Sequence, residues 1–376
     1  MKVHRLFLAS ALLALAAGTL LGTRMGLGLA GIASMESWVE MLSAHAVLQV
    51  KGFVMLFTLG VALLVLPRFL KVELAIPQVA VASWLALVSG LLLELAQVAP
   101  GPRQGLEIFG VLAFMAVLKK TRGQVALAEA DPKERSLNRL HAVFMATGVI
   151  WLLVGLLHPL AHHLLLWGFA ALYVAGIGLR VHPQMLGLDP DLELLPYSVA
   201  MWNAGLALQA FGIEAGSLLT SFGVCVYLGA LSPFRKPVRQ PQAPAWLRAY
   251  LLTAYGWLVA AAIAAFFVGV DGPARHLMAS GFLLTMMFGM ALHLVPAFES
   301  RTLPVNPAWL LGLLTLGNLL RIGGQFELSQ AYGREVFAAG AGLQTLAGLF
   351  FILIIAVTLG RAPQQVQAPS WLTGEV

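Results

Sequence analysis

A pattern of glycine, phenylalanine and proline occurs three times along this chain. It consists of Gly-Phe, a second glycine eight residues after the first, and a proline seven residues later. The copies begin at Gly52, Gly168 and Gly281, so the Gly-Phe pairs are 116 and 113 residues apart. Self-similarity of this kind is the signature of a repeated architecture. The sequence therefore predicts three similar arcs, about residues 1–120, 136–233 and 246–360.

The composition indicates an integral membrane protein. Of the 376 residues, 59% are hydrophobic and only 11% are charged, whereas soluble domains average about 25% charged residues. Cys225 is the only cysteine. This excludes a disulfide framework, and also a cysteine-ligated zinc site or an iron–sulfur cluster supplied by this chain alone.

Twelve apolar segments approach the length of about 20 residues that a helix needs to cross a bilayer. We expect an all-α integral membrane fold with twelve transmembrane helices in three four-helix arcs, forming one membrane domain over residues 1–376 with a tail at 361–376. We expect the first segment to be retained, because cleavage as a signal peptide would leave the first arc with three helices. The candidate spans are 5–23, 43–66, 74–98, 105–119, 138–157, 163–182, 196–212, 216–232, 248–270, 276–296, 307–321 and 335–359.

The basic residues predict the orientation. With the N-terminus inside, 17 of the 23 lysines and arginines lie on the inner side and six on the outer side. Cytoplasmic loops carry such an excess, so both termini are predicted to be cytoplasmic, in a bacterial-type inner membrane. The net charge of +6 is thereby explained without nucleic acid as a partner.

Histidines precede each copy of the repeat, at the predicted outer ends of the second, sixth and tenth helices. His163 and His276 each stand five residues before their glycine, and His45 stands seven before its own. That two-residue difference rotates His45 by roughly 200° on a helix. Ionisable residues inside membrane spans face the bundle interior by default, and imidazole ligates haem iron and copper. The three residues are therefore haem axial candidates, the alternative being histidines at headgroup level bonded to water or phosphate.

Other residues are further candidates. His158 and His162 stand within six residues together with His163, a density that suits copper, or equally a solvated turn. His182 and His293 lie near the predicted inner ends of helices six and ten and are secondary ligand candidates. Lys51 directly precedes Gly52; it is close enough to the outer face to snorkel, or it could pair with Glu94 or a haem propionate.

The arrangement resembles the catalytic subunit of haem–copper oxidases and nitric oxide reductases. There, helices two and ten bear haem ligands, and helices six and seven bear copper histidines. By position, His45 and His276 look like haem ligands and His163 or His162 like a copper ligand. Helix seven of this chain, residues 196–212, contains no histidine, which departs from that pattern.

A closer resemblance is to the NnrS family, haem- and copper-containing membrane proteins connected with nitric oxide stress. It is carried by two blocks that run from histidine to Gly-Phe, residues 163–169 and 276–282, and by the segment from His45 to Pro67. That family usually has a His-x-His-Glu-Met approach to the first glycine, whereas this chain has His45-Ala46-Val47-Leu48-Gln49.

These resemblances imply a haem b protein, with copper as a second metal, that acts on or senses nitric oxide or another diatomic gas. They are also compatible with a protein that relays electrons in denitrification-type respiration, or with a nitric oxide-related oxidoreductase that takes electrons from a quinol or a cytochrome. The haem is expected to be non-covalent because the chain has no Cys-x-x-Cys-His motif. Two alternatives stay open: a transporter or channel with structural histidines, and a structural membrane subunit without its own cofactor.

Overall fold

The computed structural model of the chain describes residues 2–124, 132–158 and 161–362. Every regular element in these ranges is helical. Residues 125–131, between the first two predicted arcs, and residues 363–376 of the predicted tail lie outside the described residues. In chain order the helices are α1 Val3–Leu29, α2 Trp38–Phe69, α3 Pro77–Leu95, α4 Pro100–Arg122, α5 Pro132–Leu157, α6 161–186, α7 Leu195–Ala210, α8 Ala215–Leu231, α9 Ala245–Val268, α10 Pro273–Phe298, α11 Ala308–Phe326 and α12 Ala331–Gly360.

The protein is an integral membrane protein. In the described ranges, eight helices are long and apolar enough to cross a bilayer: α1, α2, α3, α5, α6, α9, α10 and α12. The other four predicted spans coincide with α4, α7, α8 and α11. Of these, α7 and α8 have only 16 and 17 residues. Twelve crossings therefore stay a prediction.

The helices are divided between two compact units. The described residues of the first unit are 2–124, 294–304 and 341–362, and those of the second are 132–158, 161–293 and 305–340. Helices α10 and α12 contribute residues to both units. The predicted third arc is thus shared between the units, while the first lies in one and the second in the other.

Each copy of the repeat contains a stretch of π-helix, in which backbone hydrogen bonds run from i to i+5. The stretches are Leu48–Met55 in α2, Leu164–Ala170 in α6 and Leu277–Leu283 in α10. All three begin four residues before the Gly-Phe glycine. The flanking residues are right-handed helical, so the π-turns are bulges inside continuous helices.

The glycine spacing accounts for these bulges. In each copy the two glycines pack against the first helix of the same arc, where the contacted residues are seven apart: Ala14 and Phe7, Trp151 and Phe144, Trp257 and Tyr250. Seven residues make about two α-helical turns, whereas eight overshoot by about 80°. One extra residue absorbed by a π-turn returns both glycines to the same face. A Cβ on them would lie 2.6–3.0 Å from a side-chain Cβ of that neighbouring helix.

The repeated prolines lie inside the last turn of their helices, two or three residues before each helix ends. Helix α2 continues from Pro67 to Phe69, α6 from Pro183 to Leu186, and α10 from Pro296 to Phe298. The physical reason is that proline restrains the preceding residue and removes a bond to the preceding turn. The final turn after the proline can still form.

Candidate functional site

His163 is the most unusual of the predicted ligands. Only 5% of the residue is exposed, and neither ring nitrogen has a hydrogen-bond partner among the described residues. Its ring lies 6.2 Å from that of Trp167, one turn further along α6. Gln209 of α7 lies beside it. The side chain stands at the start of the π-turn of α6, in the second unit.

The donor chemistry at His163 fits a metal or haem ligand. A buried polar group left without a partner costs about 1–3 kcal/mol, and a bond to iron or copper would satisfy one nitrogen. Ligating histidines usually donate their second N–H to a neighbouring acceptor. The Oε1 atom of Gln209 is also buried and has no partner in the described part of the chain, while its Nε2 donates to the hydroxyl of Thr220 at 2.8 Å. Gln209 therefore offers an acceptor beside the ring.

His276 occupies the equivalent position in α10, and both of its nitrogens are engaged. Nδ1 lies 2.9 Å from Oε1 of Gln325, and Nε2 lies 3.0 Å from a guanidinium nitrogen of Arg321. Since an amide oxygen and an arginine are acceptor and donor respectively, the imidazole is neutral with its proton on Nδ1. Arg321 is buried and stacks on Phe337 with its Cζ 5.3 Å from the ring centroid. His276 can ligate a metal through Nε2 only if Arg321 moves away.

His45 lies in the first unit and faces α1. Its Nδ1 donates to the carbonyl of Gly18 at 2.7 Å, and its Cε1 lies 2.8 Å from the place of a Cβ on Gly22. This bond puts the proton on Nδ1 and makes Nε2 the basic nitrogen, the tautomer that ligating histidines commonly have. The residue that aligns with His163 and His276 in this copy is Val47, so the π-turn does not remove the two-residue offset.

The three imidazoles near residue 160 do not form a metal cluster in the described part of the chain. His158 lies at the end of α5, where its Nε2 donates to the carbonyl of Ala210 at 3.0 Å. It thereby caps the last turn of α7. His162 is half-buried. A copper ion here would meet His158 at Nδ1, because Nε2 donates to that carbonyl.

The secondary candidates His182 and His293 lie in the second unit. His182 is 1% exposed, and its Nδ1 lies 2.6 Å from the hydroxyl of Tyr255. The ring of His293 packs edge-on against Trp246, with centroids 6.2 Å apart. Sequence reasoning missed Tyr255. The available signal was a tyrosine within an apolar span, because a buried phenol needs a hydrogen-bond partner.

Lys51 forms a buried charged network in the first unit. Its Nζ lies 2.6 Å from Glu94 and 3.0 Å from both carboxylate oxygens of Glu107. Arg103 lies 3.2 Å from Glu94 on the other side. Lys51 is 3% exposed, so it pairs with Glu94, one of its predicted partners, and does not snorkel. Glu107 was missed because it lies 56 residues away in sequence.

The fold is that of a known class of membrane enzymes. A haem–copper terminal oxidase, solved as a dimer by cryo-EM, matches with a TM-score of 0.65 and 14% sequence identity, over 98% of this chain and 86% of that one. At this identity the likeness concerns the fold alone. No known protein family matches the chain, and no protein of curated function matches it in sequence. The oxidase-like architecture is thus confirmed, while membership of the NnrS family stays a prediction.

Proposed function

We propose that this chain is a haem b-binding integral membrane protein that acts on or senses nitric oxide. The observation that carries the proposal is the buried imidazole of His163, whose two nitrogens have no hydrogen-bond partner within bonding distance among the described residues, inside an oxidase-like fold. The nitric oxide role rests on the sequence blocks that resemble the NnrS family. When bound, haem would supply an iron that takes up a diatomic gas.

His163 would hold the haem iron in this proposal, and Gln209 would orient the imidazole by accepting its second N–H. Arg321 and Gln325 hold His276 in the neutral Nδ1–H form. Trp167 and the buried leucines of the π-turn exclude water around His163, which strengthens electrostatic interactions there. Copper, a quinol or cytochrome donor, and turnover as an oxidoreductase belong to the same proposal.

The membrane arrangement is also part of the proposal. We infer twelve crossings in three arcs, with both termini on the cytoplasmic side of an inner membrane. The 17-to-6 distribution of basic residues supports this orientation.

The decisive experiment is the absorption spectrum of the full chain purified from haem-replete cells, with iron and copper analysis. We expect a haem b Soret band that shifts when nitric oxide is added. His163→Leu should abolish it, and the apo fold should not lose stability, because an apolar side chain replaces an unsatisfied buried imidazole.

Two matched variants locate the site. His276→Ala should alter the spectrum if Arg321 leaves Nε2 of His276 when haem is bound. His293→Ala should leave the spectrum unchanged. Loss of haem in His293→Ala alone would contradict the assignment and place the cofactor near His182. A colourless protein without iron would instead favour the transporter or structural-subunit alternatives.

A further inference from the structure

We propose that the second unit carries a binding site for an anionic phospholipid at the start of α9. A cavity of about 500 Å³ lies there. It is lined by Arg235 and Arg248, by apolar residues including Leu186, Phe234 and Leu252, and by no acidic side chain among the described residues. This site is independent of the proposed haem.

The walls of the cavity are built by an ordered connection. Residues 237–243 run back along the end of α6, where Val238 and Arg239 donate backbone hydrogen bonds to the carbonyl of Gly187 at 2.8 and 3.2 Å. Gly187 has a φ of +71°, and a Cβ there would lie 2.2 Å from the carbonyl oxygen of Arg239. Only glycine permits both the left-handed conformation and this approach. The connection is therefore held in place against the helix end.

Positive charge converges on the cavity from three sources. The Nε atom of Arg248 is buried and has no hydrogen-bond partner among the described residues. Arg235 adds a second guanidinium from the connection. Ala245, which also lines the cavity, is the first residue of α9, a helix of 24 residues without a side-chain N-cap. The free N–H groups and the dipole of such a helix end attract phosphate.

The apolar wall identifies the ligand as a lipid. Ala249 and Leu252 are exposed and lie one and two turns into α9, which is long and apolar enough to cross the membrane. Phe234 is 58% exposed beside them. An acyl chain can lie along this surface while the headgroup phosphate meets the arginines. Basic pockets between transmembrane helices bind anionic headgroups in this way.

The test is native mass spectrometry of the full chain in detergent, titrated with phosphatidylglycerol or with phosphatidylcholine of the same acyl chains. We expect retention of phosphatidylglycerol and weaker retention of phosphatidylcholine. Arg248→Gln and Arg235→Gln should each lower the affinity about fivefold, which corresponds to about 1 kcal/mol for one basic residue. Arg180→Gln is the matched control, because it removes one charge from an exposed pair with Glu134 outside the cavity.

Three results would overturn the proposal. Equal losses in Arg180→Gln and Arg248→Gln would show that only net charge matters. Equal binding of the two lipids would remove headgroup selection, and displacement of phosphatidylglycerol by millimolar inorganic phosphate would identify free phosphate as the ligand. If Arg248→Gln does not fold, Arg235→Gln carries the test alone, because its side chain is exposed.

Discussion

At the scale of single residues, the carboxylate of Glu299, just after the end of α10, is buried among basic side chains. Burial alone would raise its pKa, but hydrogen bonds from Arg5, Lys2 and His4 lower it from 4.5 to about 2. A depressed acid stabilises the fold fully above its unfolded pKa and loses that contribution as the pH falls through the folded value. The stabilisation is therefore lost between pH 4.5 and about 2.

We expect Glu299→Gln to lower the melting temperature at pH 7, since Lys2 and Arg5 lose their shared carboxylate. The cost should be about 1–3 kcal/mol, the range for a buried charged partner left unsatisfied. The difference between wild type and variant should shrink as the pH falls from 4.5 toward 2. A constant difference over that interval, measured by thermal unfolding in detergent, would contradict the assigned pKa.

The network around Lys51 makes a second prediction at this scale. Lys51→Met leaves Glu107 buried without its cation, and Glu107→Gln leaves Lys51 with Glu94 alone. Removing one partner of a buried ion pair costs about 3–5 kcal/mol. The double variant should cost less than the sum of the two, because it removes both partners and leaves neither Lys51 nor Glu107 as an unpaired buried charge. Additive losses in a double-mutant cycle would mean that Lys51 and Glu107 do not interact.

At the scale of helices, the glycines of the repeat control how closely helices pack. We expect Gly168→Ala to destabilise the protein by about 1–3 kcal/mol, as overpacking does, because its Cβ would lie 2.6 Å from that of Trp151. Gly256→Ala is the matched control on α9, because an added Cβ there would have no described atom within 4 Å apart from its chain neighbours and the backbone of its own helix. It should be neutral or stabilising, since alanine favours the helix. Equal thermal shifts in the two variants would contradict the packing role.

The helices and their residues differ in how far the sequence predicts them. The predicted spans fall on α1 to α12 because the length of an apolar segment can be read directly from consecutive residues. The π-turns at the three Gly-Phe pairs could not be predicted, because they follow from contact with two residues that are seven positions apart on a second helix. The pairing of His276 with Arg321 could likewise not be predicted from neighbouring residues, because the two are 45 positions apart in sequence. His163 was predicted as a ligand candidate from its register with His276, but only the fold shows that its nitrogens have no hydrogen-bond partner among the described residues.

At the scale of the whole molecule, the number of crossings decides which side each connection faces. With twelve crossings, the connections after α4 and after α8 both face the cytoplasm. With only the eight helices that are both long and apolar enough crossing, both face the outside, because without α4 the helices α5, α6, α9 and α10 run in the opposite direction. The N-terminus, the connection after α1 and the one after α2 face the same side in both arrangements.

Single cysteines distinguish these arrangements in a Cys225→Ser background, which removes the only native thiol. We expect Gln124→Cys and Gln240→Cys to resist a membrane-impermeant maleimide in intact cells and to react after lysis. Ser34→Cys should react in intact cells and Glu73→Cys should not, whichever arrangement holds, so they serve as controls. Labelling of Gln124→Cys and Gln240→Cys from outside would reduce the crossings to eight. It would also invert α6 and thereby move His163 to the cytoplasmic face.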